Sequence, residues 1–75
     1  MEFEQVIYKI RIKTLLSQSA FAKEVGVSFS TVNRWESGKA KPSYEALKKI
    51  KEYCDRNSIP FDADERYLAK KSRQD

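Results

Sequence analysis

Between Ser17 and Lys41 the chain gathers side chains suited to reading a polar, negatively charged surface. Phe29, Ser30, Asn33 and Arg34 recur at one-, three- and four-residue steps, so in a helix they share one outward face. An arginine can donate two parallel N–H bonds to guanine. An asparagine can exchange a donor and an acceptor with adenine, and each such pair discriminates by about 1–3 kcal/mol. Ser30 can reach a base or a phosphate. Phe29 can touch a thymine methyl or fold back over the preceding turn as an apolar staple. Ser28 and Thr31 suit a phosphate. The loop Ser37–Lys41 sets Lys39 and Lys41 around a glycine that would free backbone N–H groups, a combination that can clamp phosphate. Tyr44 can reach a phosphate from the start of the next helix.

Other chemistry is sparse. The 75 residues contain no histidine and one cysteine, Cys54, so no Ser-His or Cys-His pair, internal disulfide or cysteine-based zinc site can form. The carboxylates Asp62, Asp64 and Glu65 lie in a short tail and read as a solvated surface. We therefore expect no catalytic residue, no metal, no cofactor and no enzyme. No apolar run approaches the roughly 20 residues that span a bilayer, and MEFEQVIYKI is acidic before it is apolar, unlike a secretory leader. The expectations are a cytoplasmic protein, with no membrane and no small-molecule ligand evident. The net charge of +4 favours a polyanionic partner weakly. Its distribution says more. Residues 17–41 carry four basic and two acidic groups, whereas residues 60–75 balance at four each.

The elements that must position these groups are short helices. Ser17 can cap a helix over Gln18–Val25 that Gly26 ends, and Ser28 can cap a second over Phe29–Ser37 that Gly38 ends. Helices this short are marginal alone and need each other. Their commonest joint use at this spacing is to place the second in the DNA major groove. Phe3, Val6/Ile7, Ile10 and Thr14/Leu15 suggest a preceding helix, although VIYKIRI also alternates like a strand. Phe21, Ala22 and Val25, then Val32 and Trp35, form the apolar stripes of the motif, with Ala22 small at the helix crossing. Ser43 can cap a fourth helix carrying Tyr44, Leu47, Ile50 and Cys54, with Lys48, Lys49 and Lys51 on a solvated face. A fifth helix is expected near Asp62–Lys71. The expected fold is all-α, four to five short helices in one compact domain. Residues 1–58 would be the core unit and 59–75 an extension, whose Phe61, Tyr67 and Leu68 could cover the core, form a dimer seam or grip a partner.

IRIKTLLSQSAFAKEVGVSFSTVNRWESGKAKPSYEAL resembles the Cro/Xre family of helix-turn-helix proteins, the lambda-repressor-like group. Arg11, Leu16, Gln18, Ala22, Gly26, Val27, Ser28, Val32, Trp35, Glu36, Gly38 and Pro42 fall where that family places such residues. Leu15 departs from it, standing where a glycine is common. The resemblance implies that Gln18 bonds a DNA phosphate from a helix start. It also implies that Arg11 and Glu36 form a structural pair orienting the motif, with Trp35 in the core.

The resulting expectation is a transcription regulator that binds double-stranded DNA in a sequence-specific way. The simplest form is a repressor acting as a homodimer on a short inverted repeat, since one helix reads only a few base pairs. A protein-interaction module, such as an antitoxin or a coactivator adaptor, is the alternative from a different class.

Overall fold

The computed structural model describes residues 2–69. Four helices follow in order: α1 (Phe3–Thr14), α2 (Gln18–Val25), α3 (Phe29–Glu36) and α4 (Tyr44–Arg56). The architecture is all-α, as expected. Serine hydroxyls start three of the helices. Ser17 Oγ accepts from the Ala20 N–H at 3.1 Å, Ser28 Oγ from Thr31 at 3.2 Å and Ser43 Oγ from Ala46 at 3.2 Å. Each bond satisfies one of the orphan donors of a helix start. Gly26 ends α2 at φ +96°, a left-handed backbone that glycine adopts without a Cβ penalty. Its carbonyl also accepts from Lys49 Nζ at 3.1 Å, so Lys49 ties α4 to the end of α2 instead of joining a purely solvated face.

α1 is a helix and not a strand because only helical spacing buries Phe3, Ile7 and Ile10 together while leaving Tyr8 and Ile12 outside. Its last residue hands over to Leu15 at φ +59°, 87% exposed. The left-handed turn expected of a glycine is thus kept by a leucine. These α1 residues meet Phe21, Ala22, Val25, Val32, Trp35, Leu47, Ile50, Tyr53 and Cys54 in one core. Phe3 packs edge-on against Trp35, with ring centroids 5.8 Å apart, and Phe21 against Tyr53 at 5.4 Å. The sequence stripe of α4 needs one correction. Tyr44, at the helix start, is 67% exposed, and Tyr53 takes the buried aromatic place.

The expected fifth helix is a single 3₁₀ turn, Glu65–Tyr67; Lys70 and Lys71 lie outside the described residues. Phe61 is buried and Tyr67 stacks on it at 6.3 Å while also touching Phe3 at 5.6 Å. At about 100° per residue, a helix would point residues six apart in different directions. A mostly extended segment lets both rings face the core. Ala69 N–H then donates to the Pro42 carbonyl at 2.8 Å, fastening the segment to the loop between α3 and α4. Arg66, through its guanidinium and its backbone N–H, holds the Asp64 carboxyl down at about 2.

Candidate nucleic-acid interface

α3 divides into a buried and an exposed side. Val32 and Trp35 are buried at 0% and 2% exposure, while Phe29, Ser30, Asn33 and Arg34 are all exposed. Phe29 stands 51% open to solvent at the helix start. An exposed phenylalanine costs hydration free energy that a covering partner would recover. Ser28, Ser30 and Thr31 form a hydroxyl cluster around the cap. Ser28 Oγ lies 2.8 Å from Thr31 Oγ1 and 3.3 Å from Ser30 Oγ.

Behind this face lies a chain of hydrogen bonds that crosses three helices. Arg11 of α1 grips Glu36 at the end of α3 through Nε at 2.7 Å and Nη2 at 2.9 Å, and donates from Nη1 to the Leu16 carbonyl at 2.9 Å. The side chains are only 14% and 6% exposed. Glu36 thereby raises the Arg11 pKa above its already high ordinary value, chiefly through the side-chain hydrogen bond. Glu36 Oε1 also accepts from Gln18 Nε2 at 3.0 Å, and Gln18 Oε1 accepts from Asn33 Nδ2 at 3.2 Å. The carboxylate dictates these amide orientations. A charged carboxylate only accepts, so Gln18 must present its NH₂ to it and its oxygen to Asn33, and Asn33 must answer with its own NH₂. Asn33 keeps one N–H and its Oδ1 available.

The loop after α3 differs from its sequence reading in one respect. Gly38, at φ +78°, frees no backbone N–H. Its own N–H donates to Trp35 O at 3.2 Å, and those of Lys39 and Ala40 both turn to Arg34 O at 2.9 and 3.3 Å. The left-handed glycine folds the chain back over the helix end, and the orphan carbonyls consume the donors. The lysine side chains remain. Lys39 is exposed, whereas Lys41 Nζ donates to the Arg66 carbonyl at 3.2 Å, toward the C-terminal segment. Of the groups expected to meet phosphate, Gln18, Ser28, Thr31 and Lys39 therefore adjoin α3. Lys41 is drawn aside, and Tyr44 lies free at the start of α4.

Sequence reasoning missed Glu4. Its two carboxylate oxygens lie against Gly38, 3.0 Å from where a Cβ would project. The only available signal was position: Glu4 precedes Arg11 by seven residues, two turns, on the side of α1 that faces α3. Among the described residues no group of three or more His, Cys, Asp or Glu side chains could hold a metal ion, and no helix is long and apolar enough to cross a membrane.

Residues 7–59 match the family model described as Helix-turn-helix. The chain is also similar to the HTH-type transcriptional activator BcrR of Enterococcus faecalis, 36% identical over 53 residues. That alignment covers 71% of this chain and 26% of the relative, so the chain spans about a quarter of the relative's length. No solved structure is a significant match.

Proposed function

The chain belongs to the helix-turn-helix family, and from that premise we infer a DNA-binding regulator of transcription whose α3 enters the major groove of double-stranded DNA. The observation that carries the reading is the division of α3 into a buried Val32–Trp35 side and an exposed Phe29, Ser30, Asn33 and Arg34 side. These four exposed residues read bases. Arg34 suits guanine. Asn33, held by Gln18 yet keeping an acceptor and one N–H, still has the pair of groups that adenine requires. Gln18, Ser28, Thr31, Lys39, Lys41 and Tyr44 hold phosphates on either side, with Lys41 exchanging its carbonyl partner for one. Residues 1–58 form the DNA-binding unit, and 59–75 extend it. Two copies bind an inverted repeat in the cytoplasm, because a single α3 offers too few contacts to select one site in a genome. Repression by occluding polymerase needs no surface beyond this interface. The relative's name makes activation the competing outcome, and a reporter fused to the selected operator decides between them.

The test is selection of bound sequences from a random DNA pool, followed by titration of the winner against scrambled DNA at several salt concentrations. We expect an inverted repeat bound at least ~10³-fold more tightly than scrambled DNA at physiological salt. A single enriched half-site would remove the dimer and keep the reader. No enrichment, with binding that vanishes as salt rises, would refute the reading in favour of a protein-docking module.

A further inference from the structure

We propose that Glu4 tunes DNA affinity: its carboxylate, seated on Gly38, repels DNA phosphates from the loop after α3 and so weakens the loop's phosphate contact. The inference rests on the reading of that loop as a phosphate contact and deepens it.

Three observations converge. Both Glu4 oxygens stand 3.0 Å from the Cβ position of Gly38, so the carboxylate occupies the space that any larger residue would fill. The backbone N–H groups of Gly38, Lys39 and Ala40 are consumed by α3 carbonyls and offer a phosphate nothing. Lys41 leans toward the Arg66 carbonyl, whereas Lys39 directly follows Gly38, the residue on which the carboxylate sits. The loop therefore holds two exposed positive charges, with one negative charge seated on its glycine. A phosphate that approaches the Gly38–Lys39 backbone meets both charges, and salt screens the repulsion over a Debye length of about 8 Å at physiological ionic strength.

The consequence is a weaker phosphate contact. Charge attraction supplies nearly all of non-specific binding but only part of specific binding. A fixed carboxylate beside the phosphate contact lowers affinity for operator and scrambled DNA by a similar factor, and random DNA, which has little besides charge attraction, reads it most directly. Gly38 serves two ends at once. It supplies the left-handed backbone, and it leaves room for the carboxylate.

The experiment compares three variants of the full chain, Glu4→Gln, Glu24→Gln and Lys39→Ala, on a labelled duplex of random sequence at about 50 and 300 mM salt. Glu24 is exposed on α2, so Glu24→Gln makes the same change in net charge away from the loop. We expect Glu4→Gln to bind random DNA about threefold more tightly than Glu24→Gln at the lower salt, with the difference fading at the higher. Equal affinities of the two glutamine variants would overturn the inference. Lys39→Ala separates the two layers. If it binds more weakly than the parent, the loop reading stands whatever Glu4 does; if it binds equally well, that reading fails independently. A thermal melt of each variant keeps a folding defect from passing as a binding effect, since Glu4 also lies in the first turn of α1, where a negative charge is favourable.

Discussion

Arg11→Met tests whether the ion pair behind α3 stabilises the fold or merely decorates it. The substitution keeps much of the side-chain volume and removes the guanidinium. Glu36, its side chain 6% exposed, would lose two of its three hydrogen bonds, and the Leu16 carbonyl would lose its donor. Stranding one member of a fully buried pair costs about 3–5 kcal/mol, an upper bound for this part-buried one. A chain of 75 residues at about 0.05–0.15 kcal/mol per residue has only about 4–11 kcal/mol in all. The variant should therefore lose a large share of its stability. Urea denaturation followed by circular dichroism measures this directly. The Lys51–Asp55 pair is the internal control. Its side chains are 46% and 60% exposed, and Lys51→Met should leave the urea midpoint almost unchanged. Arg11→Met/Glu36→Leu should recover part of the loss, because the stranded charge is gone. A loss below about 1 kcal/mol for Arg11→Met, with no recovery in the double variant, would refute the reasoning and class this pair with Lys51–Asp55.

Arg34→Ala should weaken operator binding about 10- to 100-fold with an unchanged melting temperature, since the side chain is exposed; titration beside a thermal melt checks both. Leu15→Gly should stabilise the protein by up to about 1 kcal/mol in urea, because the relief of a left-handed leucine exceeds the added chain entropy. Burial pushes the Cys54 thiol up to about 11 from an ordinary 9.0. The raised native pKa makes stability fall as pH climbs through that window, and a thiol reagent at pH 8 should label Cys54 only as fast as the chain opens.

The helix starts were legible because each serine acts within its own turn. A hydroxyl three residues ahead of its donor needs no tertiary partner, so Ser17, Ser28 and Ser43 could be located from spacing alone. The outward face of α3 was legible for the same reason, since burying Val32 and Trp35 determines where the remaining side chains project. What failed depends on how elements cross. Tyr44 has the right spacing for the α4 stripe but sits beyond the edge of the core, and Tyr53 meets Phe21 only because α2 and α4 approach there. The tail contains helix formers, yet Phe61 and Tyr67 both find the core more favourably from an extended backbone. Gly38 was correctly placed as a helix stop. Its N–H groups were misjudged because sequence shows a glycine's freedom but not the carbonyls waiting for the turned-back chain.

The hydrogen-bond chain from Arg11 to Asn33 joins stability to the proposed recognition by a directional argument. Glu36 can only accept, so the amide of Gln18 has one orientation, and that orientation fixes the amide of Asn33. Replacing the carboxylate with an amide would remove the constraint at its source, because Gln at position 36 could donate as well as accept. Glu36→Gln should then let Gln18 and Asn33 turn over together. Removing the charge leaves Arg11 a neutral acceptor, so some stability is lost; what separates positioning from plain support is the pattern of binding. A chain that positions Asn33 predicts relaxed preference at the one base pair that Asn33 meets, with the preference at the Arg34 position kept. A uniform loss across all operator positions would mean that Glu36 supports the helix and does not orient its reader. Repeating the selection with the variant protein, under conditions where its melt shows it folded, distinguishes the two.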